Sequence, residues 1–160
     1  MPADDPVLEQ LRRLLAWEDA HVGFDAAVAD IPVEFRGQQP GGLPYSPWQI
    51  IEHLRRTQHD ILEFCRNPQY EEPDWPADYW PPSATPPTSD AWNVCIREFR
   101  EDRAALQQLA ADPAVDLTAR IPHGSGQTYL REMVLAADHA AYHIGELVVI
   151  RRLLGIWKRD

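Results

Sequence analysis

The chain has 160 residues, 44% of them hydrophobic, and a formal net charge of −10. This length and apolar content predict one domain, residues 1–160, with a core of its own. The negative charge argues against a nucleic-acid partner, because binding to phosphates needs a basic surface. The apolar runs are too short to span a bilayer, and the acidic start Met1–Asp5 is unlike a signal peptide. We therefore expect a cytoplasmic protein with no membrane partner.

The first two of four predicted helices lie in the N-terminal half of the chain. Helix 1 is predicted over about Pro6 to Val28, where apolar residues recur at mixed three- and four-residue spacings. After a loop rich in glycine and proline, helix 2 has a clear start signal. Ser46 suits the N-cap, Pro47 the first helical position, and Gln49 completes a capping box. Helix 2 is predicted to end near Asn67.

A linker at residues 67–88 is predicted to be non-helical, because its many prolines forbid a helix. The linker also carries Trp75, Tyr79 and Trp80, and so many large aromatics predict packing against the body of the protein. Helix 3 then begins near Ser89.

Helix 3 is predicted to stop before Pro113, and helix 4 to run from the cap Thr128 to about Gly155. The two cysteines, Cys65 and Cys95, match no zinc or redox spacing, and buried small hydrophobes are the better interpretation.

These elements predict an all-α fold, since no segment shows a convincing strand pattern. The linker decides the topology. An extended segment of its length, at roughly 3 Å per residue, can cross a bundle about 30 Å long. We therefore predict a four-helix bundle with an up-down-down-up order and a long proline-rich crossover between helices 2 and 3.

The strongest chemical signal is the pair His139 and His143, four residues apart on helix 4. Such a pair projects from one helix face, with Cβ atoms roughly 5–6 Å apart, and can bind one ion. Many pairs of this kind are instead solvated or bonded to a backbone carbonyl. Position 140 is alanine, so the His-Glu-x-x-His motif of metallopeptidases is absent and peptidase chemistry is not expected.

A third ligand is predicted at His53, which shares the apolar face of helix 2. His59 falls about 120° around that helix and is predicted to be exposed. His123 lies in a glycine-containing loop and is predicted to be solvated. His21 is expected to be a core or pocket residue before it is a ligand.

The sequence resembles the DinB-like superfamily of bacterial four-helix metal proteins, which includes thiol transferases acting with mycothiol or bacillithiol. The resemblance rests on Ser46–Leu54, Asp138–Gly145 and Arg151–Gly155, and it extends over essentially the whole chain. It implies that His53 joins the histidine pair in binding a divalent ion, with zinc, nickel, iron or manganese all compatible with imidazole ligands.

Three neutral imidazoles with open coordination positions are the pattern of a catalytic rather than a structural metal site. Such an ion lowers the pKa of a bound thiol or water. The resemblance implies that the ion activates a low-molecular-weight thiol, and we therefore expect thiol transfer to a small-molecule substrate. A non-catalytic stress-related or small-ligand-binding metal protein and a metal-dependent hydrolase stay open. A carboxylate-bridged di-metal site would need two Glu-x-x-His motifs, and only Glu18–His21 fits.

Three residues near the histidine pair need separate interpretations. Glu146 stands where related sequences often carry glutamine; it either reaches the outer shell of the ion or, in the preferred interpretation, pairs with Arg151 or Arg152. Asp138 either orients an imidazole or forms an ordinary surface ion pair. Tyr142 is expected to pack between helices.

A homodimer is also expected. The tryptophans of the linker and Trp157 near the C-terminus would offer exposed apolar area for self-association, and members of the resembling family often form dimers.

Overall fold

The computed structural model describes residues 6–16 and 20–157, and there the regular structure is helical apart from one isolated bridge between Arg120 and Thr128. The predicted all-α class is therefore confirmed for the described residues. A short 3-10 turn, Val33–Phe35, precedes the second long helix. The α-helices are α1 (Pro6–Leu14), α2 (Phe24–Val28), α3 (Pro47–Arg66), α4 (Ala91–Ala111) and α5 (Tyr129–Leu153).

The single first helix predicted over Pro6–Val28 is wrong. Helix α1 ends at Leu14, and α2 begins only after Gly23, whose backbone is extended at φ −78° and ψ 169°. This extended conformation is open to any residue, so the spacing of apolar residues does not reveal the break. Glu18 lies outside the described residues, so the predicted Glu18–His21 motif is not described as a unit.

The helix starts follow local sequence signals. The Ser46 side chain accepts from the Gln49 backbone N–H while the Gln49 side chain accepts from the Ser46 N–H, so the predicted capping box is confirmed. The Thr128 hydroxyl likewise accepts from the Arg131 N–H at 3.2 Å and caps α5. These caps fix where α3 and α5 begin.

The long helices α3 and α4 run in the same direction, because residues further along α3 contact residues further along α4. The Cys95 thiol donates to the Ile51 carbonyl, and Gln58 donates to the Phe99 carbonyl at 2.7 Å. Both cysteines are buried free thiols, as predicted. Burial raises the pKa of the Cys65 thiol to about 12, so it is unreactive at neutral pH.

Helix α5 packs antiparallel to α3. Ile50 and Leu54, early in α3, share one apolar cluster with Leu147, late in α5. Ile61, late in α3, shares a second cluster with Met133, early in α5. The histidine positions of the two helices therefore lie at the same level.

Helix α5 is also the one helix of the described chain that is long and apolar enough, by composition alone, to cross a membrane. The buried core helix of a soluble protein passes the same test, and the inner face of α5 contributes to both apolar clusters. Its composition is thus weak evidence for a membrane span.

The linker packs against the helices at one part of its length. Tyr79 is buried and Trp80 half-buried, as expected, whereas Trp75 is 70% exposed. The Ser46 hydroxyl, besides capping α3, donates to the Ala84 carbonyl at 2.6 Å. The start of α3 and the end of the linker are therefore held together.

Arg151 joins the end of α5 to α2. Its buried guanidinium donates to the carbonyls of Ala26 and Ala27, at 3.1 and 2.7 Å, and lies 4.7 Å from the centre of the Trp157 ring. The carbonyls at a helix end have no partner within the helix, so Arg151 caps α2 from outside. Trp157 is half-buried beneath it, which contradicts the expected exposure of this residue.

We expect Arg151→Met to lower the free energy of unfolding by about 2–4 kcal/mol, because two carbonyls at the end of α2, one of them buried, lose a charged donor. Arg152→Met is the matched control: Arg152 is exposed, and its replacement should cost less than about 0.5 kcal/mol. Urea unfolding followed by circular dichroism measures both. Equal losses in the two variants would contradict this role of Arg151.

Candidate metal centre

The three histidines predicted as ligands meet between α3 and α5. One ring nitrogen from each of His53, His139 and His143 lies within 4.8 Å of the others. His53 and His143 are buried, and His139 is half-buried. Antiparallel packing brings them together, since it sets the first half of α3 against the middle of α5. The sequence prediction of this trio therefore agrees with their placement.

Hydrogen bonds define the protonation of two of these rings. His53 Nδ1 lies 3.0 Å from the Tyr79 carbonyl oxygen, and His143 Nδ1 lies 2.6 Å from Glu146 Oε2. A carbonyl and a carboxylate only accept, so each Nδ1 carries the proton and donates it. Each Nε2 is then left with a lone pair. Histidine ligands of metals commonly donate their second nitrogen in this way.

The Nε2 atoms of His53 and His139 are 3.0 Å apart. Because the His53 Nε2 has no proton, an ion-free pair at this distance shares a proton supplied by His139. Two nitrogens each about 2.1 Å from one ion, at a right angle, are also about 3.0 Å apart. The residues therefore fit a divalent ion without rearrangement of this pair.

Burial keeps the imidazoles neutral. It lowers the pKa of His53 to about 4 and that of His139 to about 3, and the neighbouring histidines add to both shifts. Burial also lowers the pKa of His143, although hydrogen bonding to Glu146 opposes that shift. At neutral pH all three rings are in the uncharged form that binds metals.

Two aromatic rings restrain His53. The Trp80 ring stacks on the imidazole at 3.8 Å between centroids and 6° between planes, and Tyr45 stacks on the opposite face of Trp80 at 3.9 Å. Neither residue was predicted to belong to the site, because they lie in a loop and in the linker, where periodicity gives no signal. An aromatic residue in a linker expected to pack is the only hint the sequence offers.

Glu146 orients His143, and the preferred pairing with an arginine is wrong. Arg151 bonds to α2 carbonyls instead, and Arg152 is exposed. The sequence did carry a signal for this contact, because Glu146 is a carboxylate placed about one helical turn after the predicted ligand His143. Asp138 is exposed and has no hydrogen bond or ion pair with the described part of the chain, so it orients none of the rings.

Tyr142 marks the solvent side of the centre. It is 65% exposed, so the expected packing between helices is wrong, and its ring meets the edge of His143 at 4.9 Å. On α5 its position belongs to the outer face that also carries Asp138 and Gly145. Beside the centre, a cavity of about 150 Å³ is lined by Leu43, Pro44, Tyr45, Ile50, Glu146, Val149 and Ile150.

The remaining histidines lie apart from this cluster. His59 is exposed and paired with Asp102 at 3.0 Å, and His123 is exposed with its Nε2 2.7 Å from the Phe64 carbonyl; both agree with prediction. His21 is exposed, contrary to a core position, but it does line an apolar cavity of about 240 Å³ on another face of α5.

The chain belongs to the DinB superfamily, because the model of that family matches residues 16–147. The match includes all three histidines and the linker. No curated protein and no solved structure shows significant similarity to the chain.

We expect Glu146→Ala to weaken zinc binding roughly 10–100-fold, because His143 loses the acceptor that orients it and makes it more basic. Competition against a chromophoric chelator measures the affinity. Asp138→Ala removes another α5 carboxylate on the solvent side and should leave the affinity within about twofold. The assignment of Glu146 would be lost if the two variants bound zinc equally well.

Proposed function

We propose that this DinB-superfamily protein is a metal-dependent thiol transferase whose divalent ion is held by His53, His139 and His143. The observation that carries the proposal is the convergence of three neutral ring nitrogens within 4.8 Å. Two of the rings already have the partners that fix a ligand tautomer. Zinc, nickel, iron and manganese all accept such donors.

A bound ion with three neutral ligands would keep its double positive charge and lower the pKa of a thiol or water at its open positions. The side chains of the protein would set the geometry for this chemistry. Trp80 and the Tyr79 carbonyl hold the His53 ring, while Glu146 holds the His143 ring. Tyr142 stands at the solvent side, where a low-molecular-weight thiol and a small electrophile would enter.

The same proposal includes one domain over residues 1–160, a four-helix bundle in up-down-down-up order, and a proline-rich crossover at residues 67–88. Parallel contacts between α3 and α4 and the antiparallel α5 support this order. A net charge of −10 supports a protein without nucleic-acid or membrane partners, and we propose a cytoplasmic location.

A non-catalytic, stress-related or small-ligand-binding metal protein is the second candidate. The cavity of about 150 Å³ beside Glu146 favours it, because mostly apolar side chains line that space and would accept a compact apolar ligand. A metal-dependent hydrolase would use the same centre with water in place of the thiol.

We expect about one divalent ion per chain in the wild-type protein. His53→Ala and His143→Ala should each lose it during dialysis, since two remaining imidazoles bind far more weakly. His59→Ala, on the same helix but exposed and paired with Asp102, should keep the full metal content. Elemental analysis decides: stoichiometric metal in both site variants would remove the proposed centre.

Turnover tests the transferase itself. Zinc-, nickel-, iron- and manganese-loaded protein is mixed with mycothiol or bacillithiol and a bimane electrophile, and the thioether product is quantified. We expect product with the loaded protein and at least about 100-fold less with His53→Ala. Thiol binding without product would favour the binding protein. Hydrolysis of an ester panel without thiol transfer would favour the hydrolase.

We also propose a homodimer, supported by an apolar stripe on the outer face of α5. Val134, Val149 and Leu153 are each at least 44% exposed and lie on the outer face of α5. Gly145 lies among them with no atom near its Cβ position, so a second helix could approach closely.

Light scattering at micromolar concentration should report twice the chain mass, and Val149→Glu should shift it to monomer. A wild-type monomer would exclude the dimer.

A further inference from the structure

Three charged or polar residues form a stripe along α3 beside His53. Glu52, Arg56 and Asp60 follow one another at intervals of four residues, which places them one turn apart on one helix face. Glu52 is buried and accepts from both Arg55 and Arg56. Burial tends to raise the pKa of Glu52, but the arginine hydrogen bonds outweigh it and the pKa is lowered. Within the stripe, Glu52 and Arg56 are therefore bonded to each other, whereas Asp60 has its hydrogen-bond partners outside α3.

This stripe holds the linker at Asp78–Trp80, the segment that contacts His53. Arg56 Nη1 donates to the Asp78 carbonyl at 2.9 Å, and the Tyr79 hydroxyl donates to Asp60 Oδ2 at 2.8 Å. The Tyr79 carbonyl accepts from His53 Nδ1, and the Trp80 ring stacks on the same imidazole. Side chains of α3 therefore hold Asp78–Trp80 in place, and this part of the linker in turn holds the His53 side chain.

We propose that Asp60 is a positioning residue of the metal centre and acts on His53 through Tyr79. The inference rests on the proposed metal-binding function. Asp60 accepts two hydroxyls, from Tyr70 at Oδ1 and from Tyr79 at Oδ2. Burial and the Asp60 hydrogen bond raise the pKa of both tyrosines, so both hydroxyls stay protonated and donate.

The Tyr79 carbonyl needs such an anchor. It lies in a turn, with the Tyr79 N–H on the Pro76 carbonyl at 3.2 Å, and not in a helix or a ladder that would define its direction. Without the bond to Asp60, the Tyr79 side chain loses its polar anchor, and the Tyr79 carbonyl is held less firmly against His53 Nδ1. His53 would then exchange tautomers, and its Nε2 lone pair would be present only part of the time.

Tyr70 provides a matched control, because its hydroxyl bonds to the same carboxylate at 2.7 Å. Its ring lies against Phe64, away from the centre, and its backbone has no hydrogen bond to a ligand histidine. Tyr70→Phe and Tyr79→Phe therefore remove equivalent hydrogen bonds to one acceptor. The two residues differ in whether the backbone of the tyrosine bonds to His53, which is the difference the comparison tests.

The first measurement uses the cobalt(II)-loaded full chain. We expect Tyr79→Phe to weaken cobalt binding about 5–10-fold and to change the visible ligand-field spectrum. Tyr70→Phe should stay within about twofold with an unchanged spectrum. Asp60→Ala should match Tyr79→Phe, and combining the two changes should weaken binding no further, because both remove one interaction. Equal affinities and spectra for the two tyrosine variants would overturn the role of Asp60.

The second measurement is made on metal-free protein and separates this inference from the proposed function. A hydrogen-bonded His53 Nδ1–H gives a slowly exchanging imidazole proton resonance, which should persist in Tyr70→Phe and disappear in Tyr79→Phe. If that pattern is seen but the wild type binds no metal, positioning of His53 stands and the metal function fails. If the wild type binds metal but the resonance is equal in both variants, the positioning role fails alone.

Discussion

The hydrogen bond from His53 Nδ1 to the Tyr79 carbonyl is the interaction on which the architecture of the centre depends. It lies where α3, α5 and the linker meet, and at 3.0 Å it fixes which nitrogen of a buried ring faces the other two histidines. Leaving this buried ring nitrogen without a partner would lower the free energy of unfolding by roughly 1–3 kcal/mol. The linker must therefore return to this point on α3, and the bond between Ser46 and Ala84 holds its far end in place.

Burial also sets the protonation state of the three imidazoles. The three imidazoles lie where a proton is unfavourable, so the pKa values of His53 and His139 fall to about 4 and 3. The carboxylates nearest the centre are both paired, with buried Glu52 bound to two arginines and half-exposed Glu146 bound to His143. Three uncharged imidazoles converge with no charged ligand among them, which suits a single shared cation.

Local sequence patterns are sufficient to predict much of the fold and of the candidate site. The Ser46 and Thr128 caps and the inward faces carrying His53, His139 and His143 are encoded within a few turns of helix, so sequence predicted them. The break near Gly23, the exposure of Tyr142 and the bond between Glu146 and His143 depend on what packs against each residue. Trp80 of the linker stacks on Tyr45 of a loop, and a contact between residues so far apart in the chain produces no periodic sequence pattern. The metal, the thiol and the dimer stay predictions.

The two sources of orientation around the centre differ in kind, and this bears on how its chemistry can be tuned. His53 donates to a neutral carbonyl, whereas His143 donates to a carboxylate, which makes its ring a stronger electron donor. A stronger donor raises affinity for a cation and makes that cation a weaker acid toward a bound thiol or water. In the proposed centre, Glu146 would therefore favour retention of an ion over acidity of a thiol or water bound to it. The Tyr79 carbonyl is uncharged, so it would orient His53 without the same increase in the donor strength of the ring.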